Sequence, residues 1–171
     1  MSKRNEIELI FPDETHEKAA AAYLKEHIKN GEPTLHGDCF LDEAESYEEW
    51  LGEIDEAQHI EIPSMIFFAI RKSDRKIIGT INVRHPYEGY VQIHGHIGYG
   101  IRPSERRKGY GTAMLQLALA YCKEINLDRV LLTCDKSNIA SVKTITKCGG
   151  VFESESAQPN GDMLRRYWIT V

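Results

Sequence analysis

The stretch IRPSERRKGYGTAML, residues 101–115, decides the fold. It places four cations before two glycines, Gly109 and Gly111, and an apolar run without proline follows. The cations are Arg102, Arg106, Arg107 and Lys108. A helix N-terminus leaves backbone N–H groups unpaired and carries partial positive charge, so anions bind there. Since glycines let an anion approach the backbone without an intervening Cβ, the stretch predicts a phosphate or pyrophosphate site between a strand and a helix.

A plainer interpretation of the same residues is a basic loop whose glycines serve a tight turn. Two familiar phosphate motifs do not fit. A Walker A loop would need Gly-Lys-Ser/Thr, and a dinucleotide fingerprint would need Gly-x-Gly-x-x-Gly. The choice between an anion site and a simple turn therefore depends on the elements around the stretch.

Hydrophobic periodicity, caps and turn residues predict the secondary structure. Helices are predicted at 13–31, 46–57, 109–123 and 138–148. Strands are predicted at 6–11, 64–72, 76–85, 91–103, 129–134, 151–154 and 163–171. This order predicts one α/β domain over residues 1–171, with a mixed, mostly antiparallel sheet and helices on both faces. The strands at 91–103 and 129–134 flank a helix, so they are predicted to be an adjacent parallel pair, splayed apart.

The composition is that of an ordinary soluble globular protein. The net charge of -5 at pH 7 argues against a nucleic-acid partner, because duplex binding usually needs a basic face. No apolar stretch is long enough for a membrane span or a secretory signal. The four cysteines are scattered and predict reduced thiols, and hence a cytoplasmic protein. The sequence is compatible with a homodimer and does not decide the oligomeric state.

The motif Arg106-x-x-Gly109-x-Gly111, preceded by IGYGIRP and followed by an apolar helix, resembles the acetyl-CoA signature of the GNAT family of N-acetyltransferases. The resemblance follows nearly the whole chain in element order. It is sharpest over residues 97–115 and continues through CDKSNIASVKTITKCGGVF, residues 134–152.

The resemblance implies that acetyl-CoA is the cosubstrate and that an amine attacks its thioester directly. It implies that the backbone of residues 99–101 binds the pantetheine arm and that the N–H groups of residues 107–112 hold the pyrophosphate. Asn138 matches a position that touches the coenzyme arm. The expected coenzyme-binding residues are Tyr99, Gly100, Ile101, Arg106, Arg107, Lys108, Gly109, Tyr110, Gly111, Thr112 and Asn138.

Both familiar catalytic side chains of the family are missing. The position of the usual general base holds Gly95, and the position of the usual tyrosine acid holds Ile145. His94 and His96 flank Gly95, and a histidine titrates near neutrality, so they are candidates for a base acting through water. The alternative is that both only form structural hydrogen bonds. A zinc site at His85, His94 and His96 is weakly supported by spacing alone, and no metal is expected.

Residues 30–70 contain no lysine or arginine but eleven acidic residues. They are Glu32, Asp38, Asp42, Glu43, Glu45, Glu48, Glu49, Glu53, Asp55, Glu56 and Glu61. The family resemblance puts this segment beside the acceptor site, where a negative field would attract a cationic amine. Asp38, Asp42 and Glu43 are the candidate acceptor-binding residues. A solvated helix face is the alternative for most of the others.

The leading hypothesis is an N-acetyltransferase that uses acetyl-CoA to acetylate a small cationic amine or a basic peptide end. One rival is a non-catalytic acyl-CoA sensor on the same fold, which the missing base and acid favour. A second rival is a nucleotide-binding regulatory domain without preference for coenzyme A. The acyl group and the acceptor are not fixed by the residues alone.

Overall fold

The structure is a computed structural model that describes residues 3–60 and 63–171. Its helices are α1 (Lys3–Glu6), α2 (Glu17–Lys29), α3 (Tyr47–Glu56), α4 (Tyr90–His94), α5 (Tyr110–Glu124) and α6 (Ile139–Lys147). Its strands are β1 (Ile7–Ile10), β2 (Ser64–Arg71), β3 (Ile77–Arg84), β4 (Ile97–Ile101), β5 (Arg129–Asp135), β6 (Val151–Ala157) and β7 (Met163–Thr170). Short 3-10 turns precede α2, at Glu14–His16, and α5, at Pro103–Glu105.

The strands form two antiparallel sheets. One contains four strands in the order β1-β2-β3-β4, and the other contains three in the order β5-β7-β6. In the first sheet β3 pairs with β4 from Val83↔Ile97 to Gly79↔Ile101. In the second, β7 pairs with both β5 and β6, so β5 and β6 are the two edges.

Helices cover both faces of the first sheet, as the sequence predicts. On one face α5 packs against the sheet through Met114, Leu115 and Ala118, all fully buried. On the other face α2 and α3 pack through Tyr23 and Trp50, and the Trp50 ring stacks on Phe68. The fold class is therefore confirmed. Two hydrophobic cores, one on each face, join helices to the sheet that carries the candidate site.

The strands predicted to be an adjacent, splayed pair, β4 and β5, form no ladder with each other. Across the described ranges every ladder is antiparallel, and β4 and β5 belong to different sheets that meet at one isolated bridge, Gly95 to Leu132. At this point the His96 N–H donates to Leu131 O at 2.8 Å, while the Leu131 N–H donates to the His96 ring Nδ1 at 2.9 Å. The His96 side chain thus accepts the Leu131 N–H, a donor that a strand ladder would otherwise use. The strands β4 and β5 diverge as predicted.

The predicted strand over residues 91–103 is also wrong in its first part. Residues Tyr90–His94 form the short helix α4, and the strand covers only Ile97–Ile101. Gly89 and Gly95, at the two ends of α4, both have positive φ, 46° and 81°. A backbone in this region turns away from the extended path, so alternation of polar and apolar residues is not sufficient to continue a strand here.

The remaining elements agree with the sequence to within a few residues at their ends. Ser46 caps α3 by accepting the Glu49 N–H, and Asn138 caps α6 by accepting the Ser141 N–H. All four cysteines are free thiols. Within the part of the chain that the structure covers, no helix has the length and apolar character needed to cross a membrane.

Candidate active site

The turn before α5 presents a row of unpaired backbone donors. The hydrogen bonds of the preceding 3-10 turn end where the Arg106 N–H donates to Pro103 O, and those of α5 begin where the Ala113 N–H donates to Gly109 O. Among the described residues, the six N–H groups of residues 107–112 find no acceptor. Arg107 and Gly109 have positive φ, 60° and 88°. We call residues 107–112 the anion turn, because consecutive free N–H groups at a helix start bind anions.

Most of the positive charge beside the anion turn is already neutralised. The Arg106 guanidinium donates to both carboxylate oxygens of Glu32, and its Nε donates to Ile101 O at 2.9 Å. The Lys108 ammonium donates to Glu105 at 3.1 Å. Arg107 is exposed and has no ion-pair partner in the residues that the structure describes. Of the three predicted anion-binding cations, Arg107 is therefore the one that offers an uncompensated charge.

Glu105 fixes the anion turn to the rest of the molecule. Its buried carboxylate accepts hydrogen bonds from Arg71, Lys76 and Lys108. Burial alone would raise the pKa of Glu105, but the hydrogen bonds from Lys76 and Lys108 lower it, so the group is ionised at neutral pH. Arg71 and Lys76 belong to the β2–β3 hairpin, which thus anchors the turn.

Strand β4 directs alternate backbone groups into the space beside β5. The Arg84 N–H donates to His96 O, and the Arg102 N–H donates to Ile78 O. In an antiparallel ladder every second residue pairs with the neighbouring strand, so the even-numbered residues of β4 pair with β3. The odd-numbered residues turn their N–H and C=O groups the other way, toward the space that opens between β4 and β5. They are Ile97, Tyr99 and Ile101.

Tyr99 and Gly100 are neighbours on β4 and face opposite sides of the sheet. The Tyr99 side chain packs toward α6, where its hydroxyl donates to Ser141 Oγ at 3.3 Å, and burial raises the Tyr99 pKa to about 12. A Cβ on Gly100 would lie 2.8 Å from His36 O on the opposite face. The tyrosine is a neutral phenol at physiological pH. The glycine is needed because a loop crosses the strand closely.

Asn138 lies at the start of α6. Its side-chain oxygen accepts the Ser141 N–H at 3.0 Å, which is an ordinary helix cap. The Asn138 side-chain amide nitrogen donates to no acceptor in the described ranges, so it remains available to a ligand. A coenzyme contact for this residue stays a prediction.

The positions of the missing base and acid are closed by packing. Gly95 has a φ of 81°, and a Cβ there would lie 2.7 Å from Leu131 O. Ile145 is fully buried in the core beneath α5. A longer side chain does not fit at the first position, and the second is an apolar packing position. The geometry thus gives a physical reason for both departures from the family pattern.

His94 and His96 do not share a strand face, although their i, i+2 spacing in the predicted strand 91–103 would place them on one. His94 ends α4, is exposed and packs against Tyr90 with ring centroids 4.1 Å apart and the rings tilted. His96 is buried and stacks on Tyr87. Because its Nδ1 accepts the Leu131 N–H, the proton of the neutral ring lies on Nε2, and burial lowers its pKa to about 4. These contacts favour the structural alternative for His96, and a catalytic role for either histidine stays a prediction.

A loop that we call the cover loop, residues 35–42, crosses the face of β3 and β4 opposite α5. A Cβ on Gly37 would lie only 2.6 Å from Gly98 O, and the Thr80 hydroxyl donates to His36 O at 2.8 Å. The Trp50 indole N–H donates to Asp38 O at 2.9 Å. The cover loop is therefore fixed both to β4 and to α3.

Two of the three predicted acceptor-binding carboxylates hold the cover loop together. Asp38 is buried and accepts the Leu41 N–H at 2.9 Å, and Asp42 accepts the Leu35 N–H at 2.9 Å. Burial, and then the negative charge of Asp42, raise the pKa of Asp38 above its usual range. Glu43 is exposed, whereas Glu61, another of the acidic residues, lies outside the described residues.

Arg84, at the end of β3, is a candidate site residue that was not predicted from the sequence. Its Nε atom is buried without a hydrogen-bond partner in the described part of the chain. The signal was visible as Thr80, Asn82 and Arg84, three polar residues at alternate positions in an otherwise apolar strand. Such a stripe indicates that one sheet face is polar along its whole length.

Metal ligation has little support in the geometry. Among residues 3–60 and 63–171 there is no group of three or more His, Cys, Asp or Glu side chains placed to hold a metal ion. His96 directs its Nδ1 to a backbone donor and His94 is exposed on α4, so the sequence triad of His85, His94 and His96 is not assembled into a ligand set.

Comparison with known proteins defines the class of this fold and site. A model of the acetyltransferase (GNAT) family matches residues 18–150, so the chain belongs to this family. One curated relative is the uncharacterized N-acetyltransferase YnaD of Bacillus subtilis (strain 168). It is 39% identical over 54 residues, which are 31% of this chain and 32% of the relative. The match thus spans about a third of that relative's length.

Solved structures resemble nearly the whole chain. The ribosomal-protein-S5-alanine acetyltransferase from Vibrio fischeri has a TM-score of 0.73 at 19% identity, covering 96% of this chain and 93% of that one. The microcin C7 self-immunity acetyltransferase MccE, in complex with acetyl-CoA and AMP, has a TM-score of 0.72 at 17% identity, covering 98% and 93%. At these identities the likeness shows the fold alone.

Proposed function

We propose that the protein is an N-acetyltransferase that transfers an acetyl group from acetyl-CoA to an amine. The observation that carries the proposal is the anion turn, six consecutive unpaired N–H groups at the start of α5. We propose that a diphosphate binds this turn and that a pantetheine arm lies beside β4, where Tyr99 directs its backbone N–H and C=O groups and Ile101 its N–H. Membership of the GNAT family supports the same activity.

The transfer is a direct attack. The neutral amine nitrogen forms a bond to the thioester carbonyl carbon, the C–S bond breaks, and the sulfur leaves as thiolate. The amine proton then passes to water. A backbone N–H of β4 that faces the divergence between β4 and β5 stabilises the developing oxyanion.

The absence of an acid or base at residues 95 and 145 limits which amines can serve as the acceptor. Deprotonating an alkyl amine of pKa about 10.4 at neutral pH costs about 4.6 kcal/mol, whereas a peptide α-amino group of pKa about 7.8 costs about 1 kcal/mol. Positioning of the amine next to the thioester supplies the larger part of the acceleration in a site of this kind. An amine of low pKa is thus the better acceptor.

We propose that the acceptor approaches as an ammonium ion, as a small cationic amine or a basic peptide end. The support is the cation-free acidic segment, residues 30–70, of which the cover loop and α3 are parts. Glu43 is exposed and can act on an approaching charge, whereas the carboxylates of Asp38 and Asp42 serve the cover loop. Exposed charges more than about 10 Å away are screened at 0.1 M salt, so nearby carboxylates matter most.

The activity is tested by incubating the protein with acetyl-CoA and an amine library. Thiol release is followed, and the products are identified by mass spectrometry. The expected result is amine-dependent release of coenzyme A together with an N-acetylated product. Thiol release that no amine accelerates would contradict the proposal. Competition by coenzyme A, but not by ATP or NAD, separates this function from a general nucleotide site.

A second candidate function is a non-catalytic acyl-CoA-binding domain. The observation that favours it is the closure of the base position at Gly95 and of the acid position at Ile145. This candidate predicts tight binding of acetyl-CoA without turnover of any amine. A cytoplasmic location and a homodimer stay predictions, which cell fractionation and light scattering can test.

A further inference from the structure

Arg84 differs from the other polar residues on its face of the sheet. Side chains alternate along a strand, so Thr80, Asn82 and Arg84 lie on the same face of β3. The Thr80 hydroxyl donates to His36 O at 2.8 Å, and Asn82 Oδ1 accepts the Gly98 N–H at 3.0 Å. Arg84 Nε is buried and donates to no acceptor in the chain as described. A buried donor without a partner is costly unless a ligand satisfies it.

The charge of Arg84 is also uncompensated. Six other arginines form ion pairs with a carboxylate: Arg71, Arg75, Arg102, Arg106, Arg165 and Arg166. Arg84 has no carboxylate partner in residues 3–60 and 63–171, and its cationic head lies 5.1 Å from the centre of the Tyr90 ring. An arginine does not lose its proton in proteins, so an unpaired positive charge remains in a largely buried place.

The position of Arg84 relates this charge to the candidate active site. Arg84 Nη2 lies 3.5 Å from the point where a Cβ on Gly98 would be, directly beside β4. The other face of β4 is occupied, because Tyr99 contacts α6 and Ile101 lies against α5. The cover loop crosses the face that Arg84 shares, at Gly98 and Gly100. One end of β4 leads to the anion turn, so an amine that reaches a thioester beside β4 enters at the other end, where Arg84 and the Tyr90 ring lie. This ring is more than half exposed.

We infer that Arg84 binds a carboxylate of the acceptor, so that the substrate class is an amine that also carries a carboxylate, such as a free amino acid. This inference rests on the proposed acetyltransferase function and specifies its acceptor. The planar guanidinium matches a carboxylate through two parallel hydrogen bonds. The acidic segment acts on the ammonium end of the same molecule, so the two charges of an amino acid meet opposite charges of the site.

The test compares acceptors with and without the carboxylate, at a pH above the pKa of both amines, because the carboxamide also lowers the pKa of the amine beside it. L-amino acids and their carboxamides are assayed at saturating acetyl-CoA with the wild-type protein and with Arg84→Gln and Arg84→Lys. Wild type is expected to favour the amino acid over its amide by about 10- to 100-fold in kcat/KM. Arg84→Gln should lose this preference, and Arg84→Lys should keep only part of it. The KM for acetyl-CoA should not change.

Matched measurements separate failure of this inference from failure of the proposed function. Arg75→Gln is the control, since Arg75 is an exposed arginine that pairs with Glu8 away from β4. Thermal shift with coenzyme A verifies that each variant is folded, and the comparison of acceptors within wild type alone is decisive should a variant fail to fold. Equal kcat/KM for amino acids and amides in wild type, or a preference for aminophosphonates, overturns the carboxylate assignment while leaving acetyl transfer intact.

A binding experiment covers the case in which no amine is acetylated. N-acetyl amino acids and their amides are added to the complex with coenzyme A, and the unfolding temperature is recorded. Protection by the carboxylate, lost in Arg84→Gln, supports the anion site although the transferase proposal has failed. The absence of protection in wild type overturns the inference.

Discussion

The anion turn and the cover loop lie on opposite sides of β4, and they are built differently. The anion turn offers backbone N–H groups, which depend on a helix start and on the φ of Gly109. The cover loop uses its carboxylates internally, where Asp38 and Asp42 accept N–H groups of the same loop. The comparison teaches that backbone recognition follows from a local motif, whereas side-chain recognition depends on which groups the tertiary fold leaves unpaired.

The largest expected effect is at Gly109 of the anion turn. In Gly109→Val a branched side chain would take the place of the anion at a φ of 88°. Coenzyme A affinity, measured by calorimetry, should fall at least about 100-fold. Gly161→Val is the matched control, because Gly161 also has a φ of 88° and no heavy atom within 4 Å of its Cβ position. Both variants should lose about 1–3 kcal/mol of stability, and only the first should lose affinity. Near-normal affinity in Gly109→Val refutes the anion turn.

The next effect concerns the cations beside the anion turn. Arg107 has no ion-pair partner among the described residues, whereas the Lys108 ammonium pairs with Glu105. Arg107→Ala should weaken coenzyme A binding about 10-fold at low salt, and less at 0.5 M salt, because exposed charges are screened. Lys108→Ala should change affinity less than about twofold. Equal losses in the two variants would show that ion pairing within the protein does not decide which cation binds.

A moderate, pH-dependent effect is expected at His96, where the two sheets meet. Burial lowers the pKa of His96 to about 4 from the usual 6.5. Between these values the unfolded chain binds a proton at this residue that the folded protein does not bind. Wild type should therefore lose stability as the pH falls from 6.5 to 4. His96→Asn removes this titration, and its unfolding temperature should vary at least about 3 °C less over that range. His59→Asn, at an exposed histidine, should behave like wild type. Parallel curves for His96→Asn and wild type would contradict the prediction.

The smallest effect is expected on the acidic side. Glu43→Gln should lower kcat/KM about twofold at low salt, and added salt should abolish the difference, because the carboxylate only speeds encounter with an ammonium ion. Asp42→Asn should lower the unfolding temperature instead, since its side chain holds the Leu35 N–H. A salt-independent rate, or a larger kinetic loss in Asp42→Asn than in Glu43→Gln, would reverse these roles.

The sequence predicted the elements that local rules determine. The helix starts at Gly109 and Asn138 were predicted correctly, because glycine conformation and capping depend on a few neighbouring residues. The strand over residues 91–103 was wrong in its first part because Gly95 turns the chain against Leu131 of a strand 36 residues further on. Local alternation contains no information about this contact.

The charged residues were harder to predict than the backbone. In the sequence, Asp38 is one acidic residue among many and Arg84 is one basic residue among many. Whether either can bind a ligand depends on the partners that the fold places beside it. Asp38 is taken up by Leu41 and the cover loop, whereas Arg84 has no carboxylate partner in the chain as described. A count of charges therefore does not distinguish a carboxylate that holds a loop from one that is open to a ligand, and it does not single out Arg84.

The buried carboxylate of Glu105 connects the anion turn to a distant part of the molecule. Arg71 is the last residue of β2 and Lys76 directly precedes β3, and both donate to Glu105. The geometry of the β2–β3 hairpin and the alignment of the N–H groups of the anion turn are thus mechanically coupled. Substitutions in the hairpin turn, at residues that no ligand touches, would alter coenzyme affinity by displacing the support of the site.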